Sequence, residues 1–363
     1  MRYIIPAIIL MLMVIQGWPQ EAYQVLRGDA QGFAEVIRGK ALEFPRDHAP
    51  HPDFRIEWWY ITANLQDDLG RHWGLQWTLF RQALNPQPKP EGWGSNQIWM
   101  AHAAISTPEG HRFEQRFARG GIGQAGVRSI SNNGYFDAWI DDWRWRSLGK
   151  DVFPSRLKFS IDEIQIDMQL ESTADWVLHG DRGYSQKSVL GQASYYYSQP
   201  GIRIAGSVQI DGKDIALSGS AWLDREWSSQ ALAQNQPGWD WFSLHLDDGN
   251  KLMLYRLRSE GDENWLSGSW ISKDGVKIHL RGEQIEMTPT VTRSIAIGEN
   301  QQIKLPLEWN IKLPGLDREW RVIPLYDDQW LATRFAYWEG VVLIEDGVGR
   351  PSGVGYMELT GYD

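Results

Sequence analysis

The sequence predicts an all-β protein, and three observations carry that prediction. Apolar and polar residues alternate with period two through many short runs, as in strands that bury one face. Turn signals separate those runs, among them Asp67-Asp68-Leu69-Gly70, Thr107-Pro108-Glu109-Gly110, Asp211-Gly212 and Lys273-Asp274-Gly275. No long stretch keeps the 3.6-residue helical period, and only Phe33 to Ile37 gives a short helical hint. Many short strands at this spacing mean barrels or sandwiches.

Taken in order, Met1 to about Gln20 has the form of a secretory signal. Arg2 is the charged start, Tyr3 to Ile15 is apolar, and small or polar residues follow. A signal peptide over 1–22 and an exported, periplasmic or secreted, location are therefore expected. The apolar run is short for a membrane span. The chain has no cysteine, so no disulfide framework forms and no lipid-carrying cysteine follows the signal.

Phe44-Pro-Arg-Asp-His-Ala-Pro-His-Pro-Asp53 reads as an extended lead-in. His48 and His51 with Asp47 or Asp53 could ligate a metal, but no fourth ligand is specified and a rigid loop is the simpler reading. No metal site is expected. Ile56 to Leu65 is the first clear strand, with Glu57 on the face of Trp59, Ile61, Ala63 and Leu65. An acid on an apolar face is informative because burial is costly. Arg71 to Arg81 returns as the second arm of a hairpin. Ile98 to Ser106 places His102 among Ile98, Met100 and Ala104.

Gly121-Ile-Gly-Gln-Ala-Gly126 matches the dinucleotide fingerprint by letter but lacks the helix and βαβ context, so it is rejected. Strands are expected over Tyr135 to Trp145, Leu157 to Ile161, Ile164 to Leu170, Arg203 to Ile210 and Ile215 to Trp227. Val177 to Lys187 reads as a polar loop. A soft segment from Ser228 to Gly238 marks a boundary between domains at 44–230 and 231–363. Beyond it, Trp239 to Leu246 sets Asp240 on a face with Phe242, Leu244 and Leu246. More strands follow to Tyr362.

The chain's 363 residues suffice for two ordinary domains. Its 21 tryptophans imply a wide aromatic interior, an aromatic-lined cavity, or both. A formal net charge of −10 argues against nucleic acid as a partner.

The chemistry concentrates in Trp222 to Trp227. In a strand, Trp222, Asp224 and Glu226 share one face and Leu223, Arg225 and Trp227 the other. Two carboxylates beside an indole, if buried, hold their protons to higher pH and become proton donors near neutrality. The competing reading is a strand end whose acids pair with Arg225. No Gly-x-Ser-x-Gly elbow, His-Glu-x-x-His or phosphate loop is present.

Several stretches carry a family resemblance. They are Phe44 to Tyr60, Met100-Ala-His102, Gly180-Asp-Arg-Gly-Tyr184, Tyr195-Tyr-Tyr-Ser198, Gly219 to Ser229, Gly238-Trp-Asp-Trp-Phe242, Tyr337-Trp-Glu-Gly340 and Gly355 to Gly361. With them the chain resembles the carotenoid 1,2-hydratase (CrtC) family, in its exported AttH-like branch. The resemblance implies two lipocalin-like antiparallel β domains packed together, a pocket near their junction and no cofactor. It also implies an apolar, isoprenoid or lipid-like small molecule as partner, and a link to an ABC transport system. One departure is visible: Asp224-Arg225-Glu226-Trp227 stands where the hydratases read Asp-His-x-Trp.

Acid-catalysed hydration of an alkene fits these residues. Asp224 or Asp240 would supply the proton. Trp227 and Trp239 would stabilise the cation, and Glu57 or His102 would orient water. Trp59, Trp222, Trp241 and Tyr196 complete the expected binding wall. A non-catalytic lipocalin-like carrier is the alternative, which a buried acid facing the cavity would disfavour.

Overall fold

The computed structural model describes residues 26–27, 30–87, 92–172, 174–261, 263–298 and 300–362. The expected signal, 1–22, lies outside the described residues. Within them the regular structure is almost entirely strand, arranged as two antiparallel sheets, as the alternating pattern predicts.

The first sheet has thirteen strands. Its path runs from Gly110–Arg119 through Gln97–Thr107, His72–Ala83 and Ile56–Asp67 to Lys213–Ser228 and Ala193–Ile210, then through Ile164–Glu171, Ser155–Ile161, Trp143–Ser147 and Asp137–Ile140 to Ala125–Arg128. The expected hairpin is present, with Ile56–Asp67 antiparallel to His72–Ala83. The segment read as a polar loop differs: Val177–Leu178 and Tyr184–Gln186 pair with Ala193–Ile210, whose free edge satisfies their backbone groups. Phe33 to Ile37 forms no helix; the Ala34 amide instead bonds the Asp53 carbonyl. After the rejected glycine run comes one helical turn, Ile130–Asn133, with no parallel crossover around it.

The second sheet has ten strands. Its path is Lys277–Arg281, Trp265–Ile271, Lys251–Leu257, Trp239–Leu246, Pro351–Thr360, Tyr337–Asp346, Arg318–Pro324, Gln301–Leu313 and Glu286–Gly298, with Trp330–Leu331 beside Tyr337–Asp346.

Each sheet bends around its own apolar core. Trp59, Ile61, Trp77 and Leu223 belong to the first core, with Trp145 and Met168 from across the sheet. Phe242, Leu254, Trp309, Trp338 and Met357 belong to the second. The alternate residues of the same strands look the other way and make a third cluster between the sheets: Tyr60, Tyr196, Trp222, Trp241, Tyr255, Val341 and Tyr356. At Gly74 the sheets approach so closely that any Cβ would strike the Val341 side chain and the Tyr356 hydroxyl. Burying each large apolar side chain contributes roughly 1.5–3 kcal/mol. A one-residue slip would exchange the two faces of a strand, so register is firmly set.

Candidate functional site

Between the sheets lies a cavity of about 200 Å³. The first sheet lines it with Trp58, Tyr60, Thr78, Phe80, Met100, His102, Tyr196, Asp224 and Glu226. The second lines it with Trp239, Trp241, Tyr255, Tyr337, Glu339 and Glu358. The register explains the grouping. Asp224 lies opposite Tyr60 and Glu226 opposite Trp58; Glu339 lies opposite Glu358, which lies opposite Trp241. All are outward positions of strands whose inward positions fill the two cores.

Four carboxyl groups therefore converge on one apolar space. Asp224 accepts three hydrogen bonds: the Trp222 indole N–H at 2.7 Å and the Ser198 hydroxyl on Oδ1, and the Tyr196 hydroxyl at 2.7 Å on Oδ2. Burial pushes its pKa up to about 7 against those donors, and Glu226 adds to the rise. Glu226 accepts from Ser194 and pairs with the Lys187 ammonium at 2.8 Å. That ammonium also sits 4.9 Å and 4.3 Å from the ring centres of Tyr196 and Tyr255.

Glu339 is 1% exposed. Its Oε1 accepts from the Tyr60 hydroxyl at 2.5 Å, and its Oε2 has no hydrogen-bond partner among the described residues. Burial first, then the Glu358 charge, holds its proton to far higher pH than an ordinary carboxyl, outweighing the Tyr60 and Tyr337 hydroxyls. Glu358 is raised in the same direction by burial and by Asp224 and Glu226, against a bond from the Trp239 indole. Neither has an ion-pair partner among the described residues. Both shifts favour the protonated forms of the pair, and both residues stand on the cavity wall.

Of the expected site residues, Asp224, Tyr196, Trp239, Trp241 and His102 meet at this cavity. His102 is buried and neutral, its pKa pushed down to about 3 by burial. Its Nδ1 is 2.9 Å from the Tyr337 hydroxyl and its Nε2 is 2.7 Å from the Gln115 amide nitrogen. The amide N–H donates to Nε2, so Nδ1–H donates to Tyr337.

The structure does not bring the others there. Glu57 borders the cavity, but its carboxylate belongs to the inner face, bonded by Arg81, by Arg225 at 2.6 Å and by the His51 amide at 2.9 Å. Burial pushes Glu57 up, yet Arg81, Arg225 and His51 outweigh it and keep it ionised well below the usual range. Asp240 points into the second core, paired with Arg256 at 2.7 Å and Arg258 at 2.9 Å and bonded by the Tyr362 hydroxyl. Trp59 lies under the Arg225 guanidinium at 3.6 Å, and Trp227 stacks on His51 at 3.9 Å. Trp222 touches the site only through Asp224. His48 bonds the Tyr197 hydroxyl through Nδ1. Arg225 serves Glu57 and is not among the residues that line the cavity.

Sequence reasoning missed Glu339 and Glu358. A signal was present: each is an acid on the face of aromatic neighbours, Tyr337 for one and Tyr356 for the other.

The AttH-like family model matches residues 35–362. Among solved structures, a Nitrosomonas europaea protein described as an AttH is similar at 35% identity and TM-score 0.78, covering 91% of this chain and 100% of that one. Kievitone hydratase from Nectria haematococca shares the fold at 16% identity and TM-score 0.68, over 91% and 95% of the two chains. CghA shares it at 12% identity and TM-score 0.50, over 93% and 98%. No curated protein matches in sequence.

Proposed function

The chain belongs to the AttH-like family, and from that premise we propose a cofactor-independent hydratase acting on an apolar, isoprenoid- or lipid-like molecule. One observation carries the reading. Glu339 stands on the wall of an aromatic cavity, and its Oε2 is the one buried carboxyl oxygen among the described residues without a hydrogen-bond partner. A carrier of an apolar ligand gains nothing from burying such a group.

The proton donor in this reading is Glu339 rather than Asp224, because both Asp224 oxygens already accept donors. Glu339 Oε2–H gives its proton to one alkene carbon, whose π electrons form the new C–H bond. The cation left on the neighbouring carbon is stabilised by Trp239, Trp241 and the ionised carboxyls. A water lone pair forms the C–O bond, and the water proton passes to the Asp224 carboxylate. Return of that proton to Glu339 through solvent closes the cycle. His102 orients Tyr337 beside Glu339 and is a positioning residue. Asp240 and Glu57 hold structure. Export rests on the amino-terminal signal pattern and belongs to the same proposal.

Mass spectrometry after incubation with a lipid and isoprenoid extract in ¹⁸O-water tests it. One labelled oxygen added to an intact molecule, lost in Glu339→Gln, is the expected result. A labelled molecule cut in two makes the protein a hydrolase. An apolar compound held unchanged by both proteins makes it a carrier and overturns the proposal.

A further inference from the structure

Outside the cavity, every buried acid in the described chain is matched with arginine. Asp47 has Arg46, Glu57 has Arg81 and Arg225, and Asp67 has Arg71. Asp137 has Arg128 and Arg144, Asp240 has Arg256 and Arg258, and Glu308 has Arg293 and Arg321. At the cavity that rule fails. Four carboxyls face one ammonium, Lys187, and Asp224, Glu339 and Glu358 have no cation among the described residues. The Oε2 of Glu339 is buried and has no hydrogen-bond partner among the described residues. The wall also shows how a cation is held here, since Lys187 rests between the Tyr196 and Tyr255 rings against Glu226.

We propose that this cavity binds compact organic cations, an ammonium group on an apolar body, through Asp224, Glu339 and Glu358 and the aromatic wall of Trp239 and Trp241. The inference rests on the cavity being the ligand site. It deepens the hydratase reading, because an ammonium resembles the carbocation that hydration passes through. An ammonium entering the cavity displaces the acid protons; the carboxylates so formed and the aromatic rings both attract its charge, and the low-dielectric surroundings strengthen both attractions. Size guides the choice of probe. A cavity of about 150 Å³ holds benzene, so one of about 200 Å³ takes a single ring with a short substituent.

Calorimetric titration of the full chain with benzyltrimethylammonium and with its neutral isostere neopentylbenzene decides the matter. The ammonium should bind at least about tenfold more tightly, the scale of one desolvated cation–π contact. The preference should shrink to within roughly threefold in the Glu339→Gln, Glu358→Gln double variant. Equal binding of the two isosteres by the unmodified protein overturns the proposal, whether or not the variant folds. So does an undiminished preference in a folded double variant. The hydratase reading fails separately: cation preference without ¹⁸O incorporation removes the reaction and keeps the site, and turnover without cation preference does the reverse.

Discussion

Glu57 and Asp224 lie on neighbouring strands of one sheet, and both are buried, yet their side chains leave opposite faces. Glu57 enters the first core, where two arginines and a backbone amide keep it ionised. Asp224 leaves toward the second sheet, meets only neutral donors, and has its pKa pushed up to about 7 by burial. The second sheet repeats the division: Asp240 turns inward to Arg256 and Arg258, while Glu339 and Glu358 turn outward and have no cation among the described residues. Burial alone thus does not distinguish a structural acid from a chemical one. The charge of the neighbour on the same face does, and the period-two pleat decides which neighbours those are.

The comparison predicts different kinds of damage. Glu339→Gln should lower turnover by about 10²–10⁴, the range of a positioned general acid. Its melting temperature should stay level or rise, since an unpaired buried acid is removed. Turnover assays with a parallel thermal melt check both halves, and unfolding in step with lost activity would erase the distinction. Glu57→Gln should do the opposite kind of harm. Taking one partner from a buried ion pair costs about 3–5 kcal/mol, read as a fall in the denaturant midpoint with no new chemistry.

The two sets also titrate with opposite sign. The cavity acids have raised pKa values, so their stabilisation is complete below the ordinary carboxyl range near 4. It is lost as pH rises through about 7, where Asp224 ionises. Glu57 is lowered, so its contribution is present above the ordinary range and lost only in acid. Melting temperatures from pH 4 to 9 should therefore decline less steeply toward high pH in Glu358→Gln than in the unmodified protein. Turnover should follow a bell whose rising limb lies near pH 7 and disappears in Asp224→Asn, with the falling limb above it from Glu339. The smallest effect is expected from His102→Gln. It removes one hydrogen bond to Tyr337, worth about 0.5–1.5 kcal/mol. It should change kcat less than about tenfold and leave the Asp224 limb of the profile where it was.

Much of this arrangement could be read along the chain. Alternation places strands over Ile56 to Leu65 and Ile215 to Trp227, within the observed Ile56–Asp67 and Lys213–Ser228, puts Asp224 and Glu226 beside Trp222, and sets Asp240 with Phe242 and Leu244. The same alternation held the clue against Asp240 and Glu57, since each shares a face with core residues. Trp227 leaves its strand on the face away from Asp224, so the pleat itself argues against a place for it in the cavity. Pairing was less legible. Arg256 and Arg258 lie across a hairpin from Asp240, and Lys187 comes from a distant loop to reach Glu226.

Sequence alone determined the all-β class, the register of faces and the presence of acids where apolar residues would be expected, because strand periodicity is local and survives in a linear string. Tertiary structure decided which face of each strand meets the other sheet. It also decided that four carboxyls from two sheets share one cavity and which buried acids find an arginine. Those outcomes depend on distances between residues far apart in the chain, and electrostatic energies in a low-dielectric interior follow distance and burial rather than order along the backbone.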